Sequence, residues 1–439
     1  MRKEIHALEQ NGTWTLEQLT KGKKAIDLKW VYKIKFKPNG EVERYKARLV
    51  AKGFTQREGV DYHDTFEPVA KLVTLRTLLA IAVKRRWGIK QLDVNNAFLH
   101  GDLEEEVYMR ITQRFLTKDE TRVCKLKRLI YDLKQASRNW YHKFTKSLVG
   151  LGYKQSKANH SLFIYKNGDI YVASLIYVDD VILVGNDTKW IERTKTHLDK
   201  EFSIKDLGSL KYFLGIEVAR TSEGLVLSQH KYTLDILQDS GLQGCRPSSF
   251  PMEPNLKLDN GEEEEKIDAS RYRRLVGRLL YLQVTRLDTA YSTTVGQGIL
   301  LANTTKTELV AYCDADWLGF VSRSLAEAEY RSIATAVSEI MWVRWLLKEL
   351  DVVVVGPTPL FYDNQAAKHI ANNPVFHERT KHVEMDCFFV RERVERKEIV
   401  PIHINSRQQI SDLLTKPLGS HPLQTLLVKL GIQNLYVTT

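Results

Sequence analysis

Two adjacent carboxylates, Asp179 and Asp180, lie in the run Ile170 to Val184, between stretches rich in β-branched and aromatic residues. Such stretches read as paired strands, which puts the acids at the turn of a hairpin. Neighbouring carboxylates between apolar strands repel each other and lose solvation, so they need a solvent-open turn or bound cations. A solvated turn is the plainer reading, because Asp is an ordinary turn residue. Leu92-Asp93-Val94 shifts the balance by ending another strand-like run with a third acid. Three carboxylates on neighbouring strands can seat two Mg²⁺ ions, which would activate a hydroxyl nucleophile and hold a phosphate leaving group.

Several elements must position these acids. Trp30, Tyr32, Ile34 and Phe36 alternate with Lys29, Lys33 and Lys35 before Pro38-Asn39-Gly40 turns the chain. On the return strand Tyr45, Ala47, Leu49 and Ala51 share one face, and Lys46, Arg48 and Lys52 share the other. The result is a hairpin with a comb of cations, which taken alone is a solvated basic face. Leu75, Leu78, Leu79 and Ala82 recur at helical spacing from Thr74 to Arg86, and this helix delivers the chain to Asp93. Beyond the acidic hairpin, Trp190, Ile191, Thr194, Leu198 and Phe202 mark an amphipathic helix, and Leu210 to Val218 reads as one more strand of the same sheet.

Composition narrows the class. The 439 residues suffice for two or three domains, and 65 basic against 54 acidic side chains give a net charge of +11, which favours a polyanionic partner. No apolar run approaches the roughly 18 residues needed to span a bilayer, and Met1 to His6 lacks the apolar core of a signal peptide. Cys124, Cys245, Cys313 and Cys387 are far apart without a CxxC pair, so neither a disulfide framework nor a zinc knuckle is expected, and a reducing, cytoplasmic setting is.

Tyr177-Val178-Asp179-Asp180 with Gln91-Leu92-Asp93-Val94 upstream resembles the catalytic core of a reverse transcriptase, specifically the copia-type LTR retrotransposon polyprotein. The resemblance runs from about Trp14 to about Leu418. It implies an α+β fold: a right-hand polymerase palm with fingers, followed by a truncated ribonuclease H-like α/β domain. It implies RNA-directed DNA polymerase activity, with Asp93, Asp179 and Asp180 holding two Mg²⁺ ions, or Mn²⁺. Partners would be an RNA template, a DNA primer, the RNA/DNA hybrid and deoxynucleoside triphosphates, in a cytoplasmic retrotransposon particle and at no membrane. Lys46 and Arg48, in Glu43 to Gly53, resemble the fingers cations that meet the triphosphate. Phe98, five positions past Asp93, stands where related enzymes set an aromatic ring under the sugar and so exclude a ribose 2′-hydroxyl; its plainer reading is a core aromatic. Tyr131 opens a block, through Tyr141, that resembles the segment beside the nucleotide. By the same resemblance the chain is the reverse transcriptase and ribonuclease H piece of such a polyprotein, without its protease, capsid and integrase parts.

This sequence also departs from the family pattern. Asp132 and Arg114 stand where the family has Gly, and Ser137 and Leu287 where it has Pro. Arg246 to Ser270, with three prolines and the run Glu262 to Glu265, reads as a linker, and the segment between Leu287 and Gly296 is shorter than in the family. The expected division is therefore 1–245 for fingers and palm, 246–308 for linker and shortened connection, 309–420 for the ribonuclease H-like part and 421–439 for a tail.

In that part Asp314, Glu329, Asp363 and Asp412 resemble a four-carboxylate, two-metal ribonuclease H site. Only fourteen residues separate Asp314 from Glu329. Two strands with their turns and a helix entry need about 20. A sheet short of strands is expected, with ribonuclease activity lost. Tyr330, Ile333, Ala334, Val337, Ile340, Met341 and Trp345 predict one long amphipathic helix. His377 to His382 could suggest zinc, but no second ligand pair exists, and the resemblance explains it as context of the ribonuclease H region. A second reading of the whole chain stays open: a catalytically silent remnant that only binds nucleic acid.

Overall fold

The computed structural model describes residues 1–36, 41–110, 122–245, 268–282, 297–303, 308–315, 325–364, 384–416, 418–430 and 432–434. Pro38-Asn39-Gly40, Arg114, Leu287, His377 to His382 and nearly all of the proposed linker lie outside them. The fold is α+β, with two compact units: Met1–Lys71 with Gly88–Ser209, and Leu72–Trp87 with Leu210–Thr439.

The first unit is built on a six-stranded antiparallel sheet. Its order is Ile204–Ser209, Gly88–Val94, Asp180–Gly185, Ile170–Tyr177, Leu162–Asn167, Lys154–Gln155. Alternation along Gly88–Val94 sends Leu92 and Val94 into a core with Val181, Leu183 and Ile176. Helices Ala136–Gly150 and Thr188–Phe202 close that core with Trp140, Phe144, Leu198 and Phe202. Phe202 rests edge-on to Trp140 at 5.1 Å and stacked on Phe144 at 5.3 Å. Of the stripe read from the sequence, Ile191, Thr194, Leu198 and Phe202 are buried and Trp190 is partly buried.

The cationic hairpin is present as Leu28–Phe36 paired with Val42–Ala51, with Lys33 opposite Lys46 and Val31 opposite Arg48. Only its base is buried, through Leu49, Val50 and Ala51, while Tyr32 and Tyr45 stand exposed toward the far end.

The strand expected over Leu210 to Val218 does not join this sheet. Leu214 and Gly215 both adopt positive φ, +49° and +75°, which suits the two-residue turn of a tight hairpin. They fold Tyr212–Phe213 onto Ile216–Arg220 as the edge of a separate five-stranded antiparallel sheet in the second unit. The palm edge is Ile204–Ser209 instead, bulged between Asp206 and Gly208.

In the second unit, helix Leu72–Lys84 buries Leu75, Leu78, Leu79 and Ala82, as its spacing predicts. A further sheet has three strands among the described residues, all parallel: Ala311–Tyr312, Thr358–Tyr362 and Ile399–His403. Helices Leu325–Glu349 and Glu384–Glu395 cover it, burying Tyr330, Ile333, Val337, Ile340, Cys387 and Val390 against Leu360 and Tyr362. Trp345 does not belong to that stripe. It is 61% exposed, while Leu346, Leu347 and Leu350 are buried. Among the described residues no helix is long and apolar enough to cross a membrane, and Cys124, Cys245, Cys313 and Cys387 are all free thiols.

These burials give paired expectations. Phe202→Ala removes the ring that locks both helices to the sheet and should lower the urea unfolding free energy by about 3–5 kcal/mol. Trp345→Ala, an equally large truncation, should cost less than about 0.5 kcal/mol. Equal losses would contradict the burial of one ring and the exposure of the other.

Candidate active site

Asp93 is the penultimate residue of its strand, and Asp180 the first of the strand beside it. The antiparallel register pairs them directly, so both side chains project from one face. Val178 and Asp179 form the two-residue turn between Tyr177 and Asp180, with Val178 at φ +56°, a left-handed conformation that is strained for a β-branched residue. Two hydrogen bonds hold that turn: Val94 N–H donates to the Asp179 carbonyl and Trp140 Nε1–H to the Val178 carbonyl, each at 2.8 Å. Asp179 is thereby fixed at the tip.

Two of the acids are shifted by their surroundings. Burial, and then the neighbouring Asp179 and Asp93, push the Asp180 carboxyl up to about 6, against a hydrogen bond from Gln91 Nε2 at 3.5 Å. Asp179 is also raised, chiefly by burial and then by Asp93, while Arg48 and Lys46 oppose the shift. Three oxygen-bearing, mutually repelling side chains fit a hard divalent cation, whose charge would reverse those shifts.

Arg48, Tyr131 and Phe98 form one assembly. The Arg48 guanidinium lies 4.2 Å from the Tyr131 ring centroid, and Phe98 meets that ring edge-on at 5.4 Å. The Tyr131 hydroxyl donates to Asn96 Oδ1 at 3.3 Å. Burial raises the Tyr131 hydroxyl above its ordinary range; Arg48 opposes this, and Asp179 and Asp93 add to it. Lys46 is placed by its attraction on Asp179. The structure thus brings Asp93, Asp179, Asp180, Lys46, Arg48, Phe98 and Tyr131 into one neighbourhood.

The base of the hairpin explains how. Ala51 N–H donates to the Tyr131 carbonyl at 3.0 Å, and Gln56 bridges Lys134 N–H (2.8 Å) and the Gln135 side chain (3.1 Å). At Gly53 a Cβ would stand 1.8 Å from the Asp132 carbonyl oxygen, so only glycine permits that approach. Asp132 itself has φ +67°, the left-handed region that favours glycine and that Asp tolerates better than most residues. Its carboxylate pairs with Lys29 at 3.4 Å. Ser137 hydrogen-bonds Glu67, whose carboxyl is raised by burial and held back by that contact.

Sequence reasoning missed three positioning residues: Trp140, Gln91 and Asn96. Gln91 was findable, because two positions upstream of Asp93 on a strand means the same face. Trp140 was not, because its partner is a backbone carbonyl 38 residues away in sequence.

The second unit gathers another cluster. Oxygens of Asp314, Glu329 and Asp363 all lie within 4.8 Å of one another, a spacing that Asp93, Asp179 and Asp180 do not meet. Asp314 and Asp363 follow parallel neighbouring strands, and Glu329 sits near the start of helix Leu325–Glu349. Asp412 joins through Lys416, whose Nζ lies 2.6 Å from Asp412 Oδ1, 3.4 Å from Asp314 Oδ2 and 3.7 Å from Asp363 Oδ2. The Thr415 hydroxyl donates to Asp314. Burial and then Asp314 push the Glu329 carboxyl up to about 8, and its Oε2 is buried with no hydrogen-bond partner among the described residues.

Asp180 supplies a test of the palm electrostatics. Because its folded-state pKa is about 6, above the unfolded value of 3.8, its charged form destabilises the fold above pH 6, and that penalty fades as the pH falls from 6 toward 4. In chelator, Asp180→Asn should raise the unfolding free energy at pH 8 by about 1–3 kcal/mol, with the gain shrinking by pH 5. A loss of stability at pH 8, or a gain independent of pH, would contradict the raised Asp180 carboxyl.

Comparison with known proteins gives the family. The profile of the family described as Reverse transcriptase (RNA-dependent DNA polymerase) matches residues 11–254. The chain is 37% identical over 489 aligned residues to the Retrovirus-related Pol polyprotein from transposon RE1 of Arabidopsis thaliana, covering 98% of this chain and 33% of that one. It is 32% identical to that from transposon TNT 1-94 of Nicotiana tabacum, covering 95% and 36%. A foamy viral protease-reverse transcriptase structure aligns at 12% identity and a TM-score of 0.42, over 92% of this chain and 70% of that one. The chain spans about a third of the length of the polyproteins it matches. With the palm acids in register and more than half of its length matched, the chain belongs to the reverse transcriptase family, as the reverse transcriptase region of a copia-type retrotransposon.

Proposed function

We propose that the chain is an RNA-directed DNA polymerase that extends a DNA primer on an RNA template from deoxynucleoside triphosphates. The observation that carries this reading is the direct pairing of Asp180 with Asp93 beside Asp179, within the field of Arg48 and Lys46. Asp93, Asp179 and Asp180 would hold two Mg²⁺ ions, or Mn²⁺, which when bound supply Lewis-acid activation of the primer hydroxyl and charge relief for the departing pyrophosphate. Arg48 and Lys46 neutralise the triphosphate; Tyr131 holds the guanidinium over its ring and so aims it. Phe98, wedged against Tyr131, presents a ring that collides with a ribose 2′-hydroxyl. The basic surface binds the duplex through its phosphates. The expected setting is the cytoplasmic particle of the element.

Asp314, Glu329, Asp363 and Asp412 would form the ribonuclease H-like site of the second unit, Asp314 and Asp363 following strands of a sheet with three parallel strands among the described residues and Glu329 and Asp412 standing on helices. Hybrid cleavage is proposed to be lost. The domain organisation proposed is fingers and palm over 1–245, a shortened connection over 246–308, the truncated ribonuclease H-like part over 309–420 and a tail over 421–439.

Primer extension on a labelled RNA template with Mg²⁺ or Mn²⁺ tests both statements. Metal-dependent DNA synthesis should appear, vanish in Asp179→Asn/Asp180→Asn, and leave the RNA strand uncut. If the parent is folded and as silent as the double variant, the chain is the remnant that only binds nucleic acid. RNA cutting that disappears in Asp363→Asn would overturn the loss of nuclease activity. Phe98→Val should lower the preference for deoxy- over ribonucleotides by about tenfold or more, read as a ratio of kcat/KM values. An unchanged ratio with lower stability would return Phe98 to the core.

A further inference from the structure

Lys416 stands where the second cluster needs positive charge. Side chains of Asp314, Asp412 and Asp363 are 2%, 8% and 9% exposed, and all three turn an oxygen toward its ammonium. The one-turn helix Asp412–Thr415 sets Lys416 one turn after Asp412, so the closest contact is local and the other two reach across the fold. Buried carboxylates cannot remain charged together without a counter-ion, and one ammonium does not balance four acids. The orphaned Glu329 Oε2 shows that capacity for a cation remains. The Lys416 side chain is 42% exposed and flexible, so its head can turn out to solvent without unfolding that turn.

We propose that Lys416 is the internal counter-ion of this cluster, its ammonium held against Asp314 and Asp363, two of the three acids whose oxygens are close enough to share a divalent cation, so that metal binds only when Lys416 swings out. The inference rests on reading the four acids as a cation site. It makes Lys416 a competitor of the metal rather than a ligand or a surface ion pair. In the chain without metal, Lys416 lets the acids pack; with metal, it is the group displaced.

The test is Mn²⁺ binding to the full chain, followed by the loss of the free-ion electron paramagnetic resonance signal, in an Asp179→Asn/Asp180→Asn background that removes two palm ligands. Lys416→Met should bind Mn²⁺ about fivefold or more tighter than its parent, and Asp363→Asn should abolish the gain. Its melting temperature should fall in chelator and recover with Mn²⁺, whereas Lys416→Arg, which keeps the charge, should bind as weakly as the parent. Binding by Lys416→Met that is equal to or weaker than the parent's overturns the proposal, as does binding by neither. If Lys416→Met does not fold in chelator, refolding in Mn²⁺ decides: recovery supports the competition, and failure to recover overturns it. Nuclease activity is no part of the readout, so a silent nuclease leaves the result standing.

Discussion

Cross-strand partners of an antiparallel pair lie about 5 Å apart on one face, so pairing Asp180 with Asp93 forces two like charges together whatever the side chains prefer. The register cannot relax by one residue, because a slip would turn Leu92, Val94, Val181 and Leu183 out of the core. Apolar burial on one face therefore imposes charge crowding on the other. Asp179 adds to it from the turn, where Val178 bends through a left-handed backbone and Trp140 holds its carbonyl. The helix that carries Trp140 is itself locked by Phe202. Core, turn and acids are consequently one mechanical unit.

The two carboxylate clusters meet the same electrostatic problem differently. In the first unit, Arg48 and Lys46 act on Asp179 from the hairpin, while burial and neighbouring acids still raise Asp179 and Asp180. A carboxyl raised chiefly by burial, as both are, has lost solvation that a bound cation can replace. In the second unit Lys416 reaches three acids directly, and burial still raises Asp412 and Glu329. Arg48 lies over the Tyr131 ring and acts on Asp179 from a distance. A lysine among the acids serves the acids first.

Much of the first unit was legible because its signals are short-ranged and periodic. The helix stripe ending at Phe202, the hairpin faces and the acids at strand ends all follow from side-chain period. The strand over Leu210 to Val218 misled because hydrophobic pattern does not report backbone handedness: Leu214, not a residue expected at positive φ, completes the turn that splits it. Trp345 misled because the stripe was extended by spacing alone, whereas Leu346 and Leu347 take over the burial. Trp140 acts on a carbonyl far away in sequence and Lys416 on Asp314 and Asp363 from other elements besides its local Asp412, and no local pattern encodes those distant contacts.

Asp132 shows how a departure from a family pattern should be weighed. Two requirements meet at that position, a left-handed backbone and a carbonyl that touches Gly53. Glycine satisfies the first without strain, and Asp is among the residues that reach the left-handed region at least cost. The second concerns the backbone, so the side chain does not affect it. What the substitution adds is a negative charge, and Lys29 engages that charge at 3.4 Å with both groups about half exposed. Such a pair contributes at most about 1 kcal/mol, enough to orient the carboxylate and too little to rearrange the hairpin. The geometry around Tyr131 and Arg48 therefore survives the change, and its electrostatic effect on a bound anion is blunted by the lysine beside it.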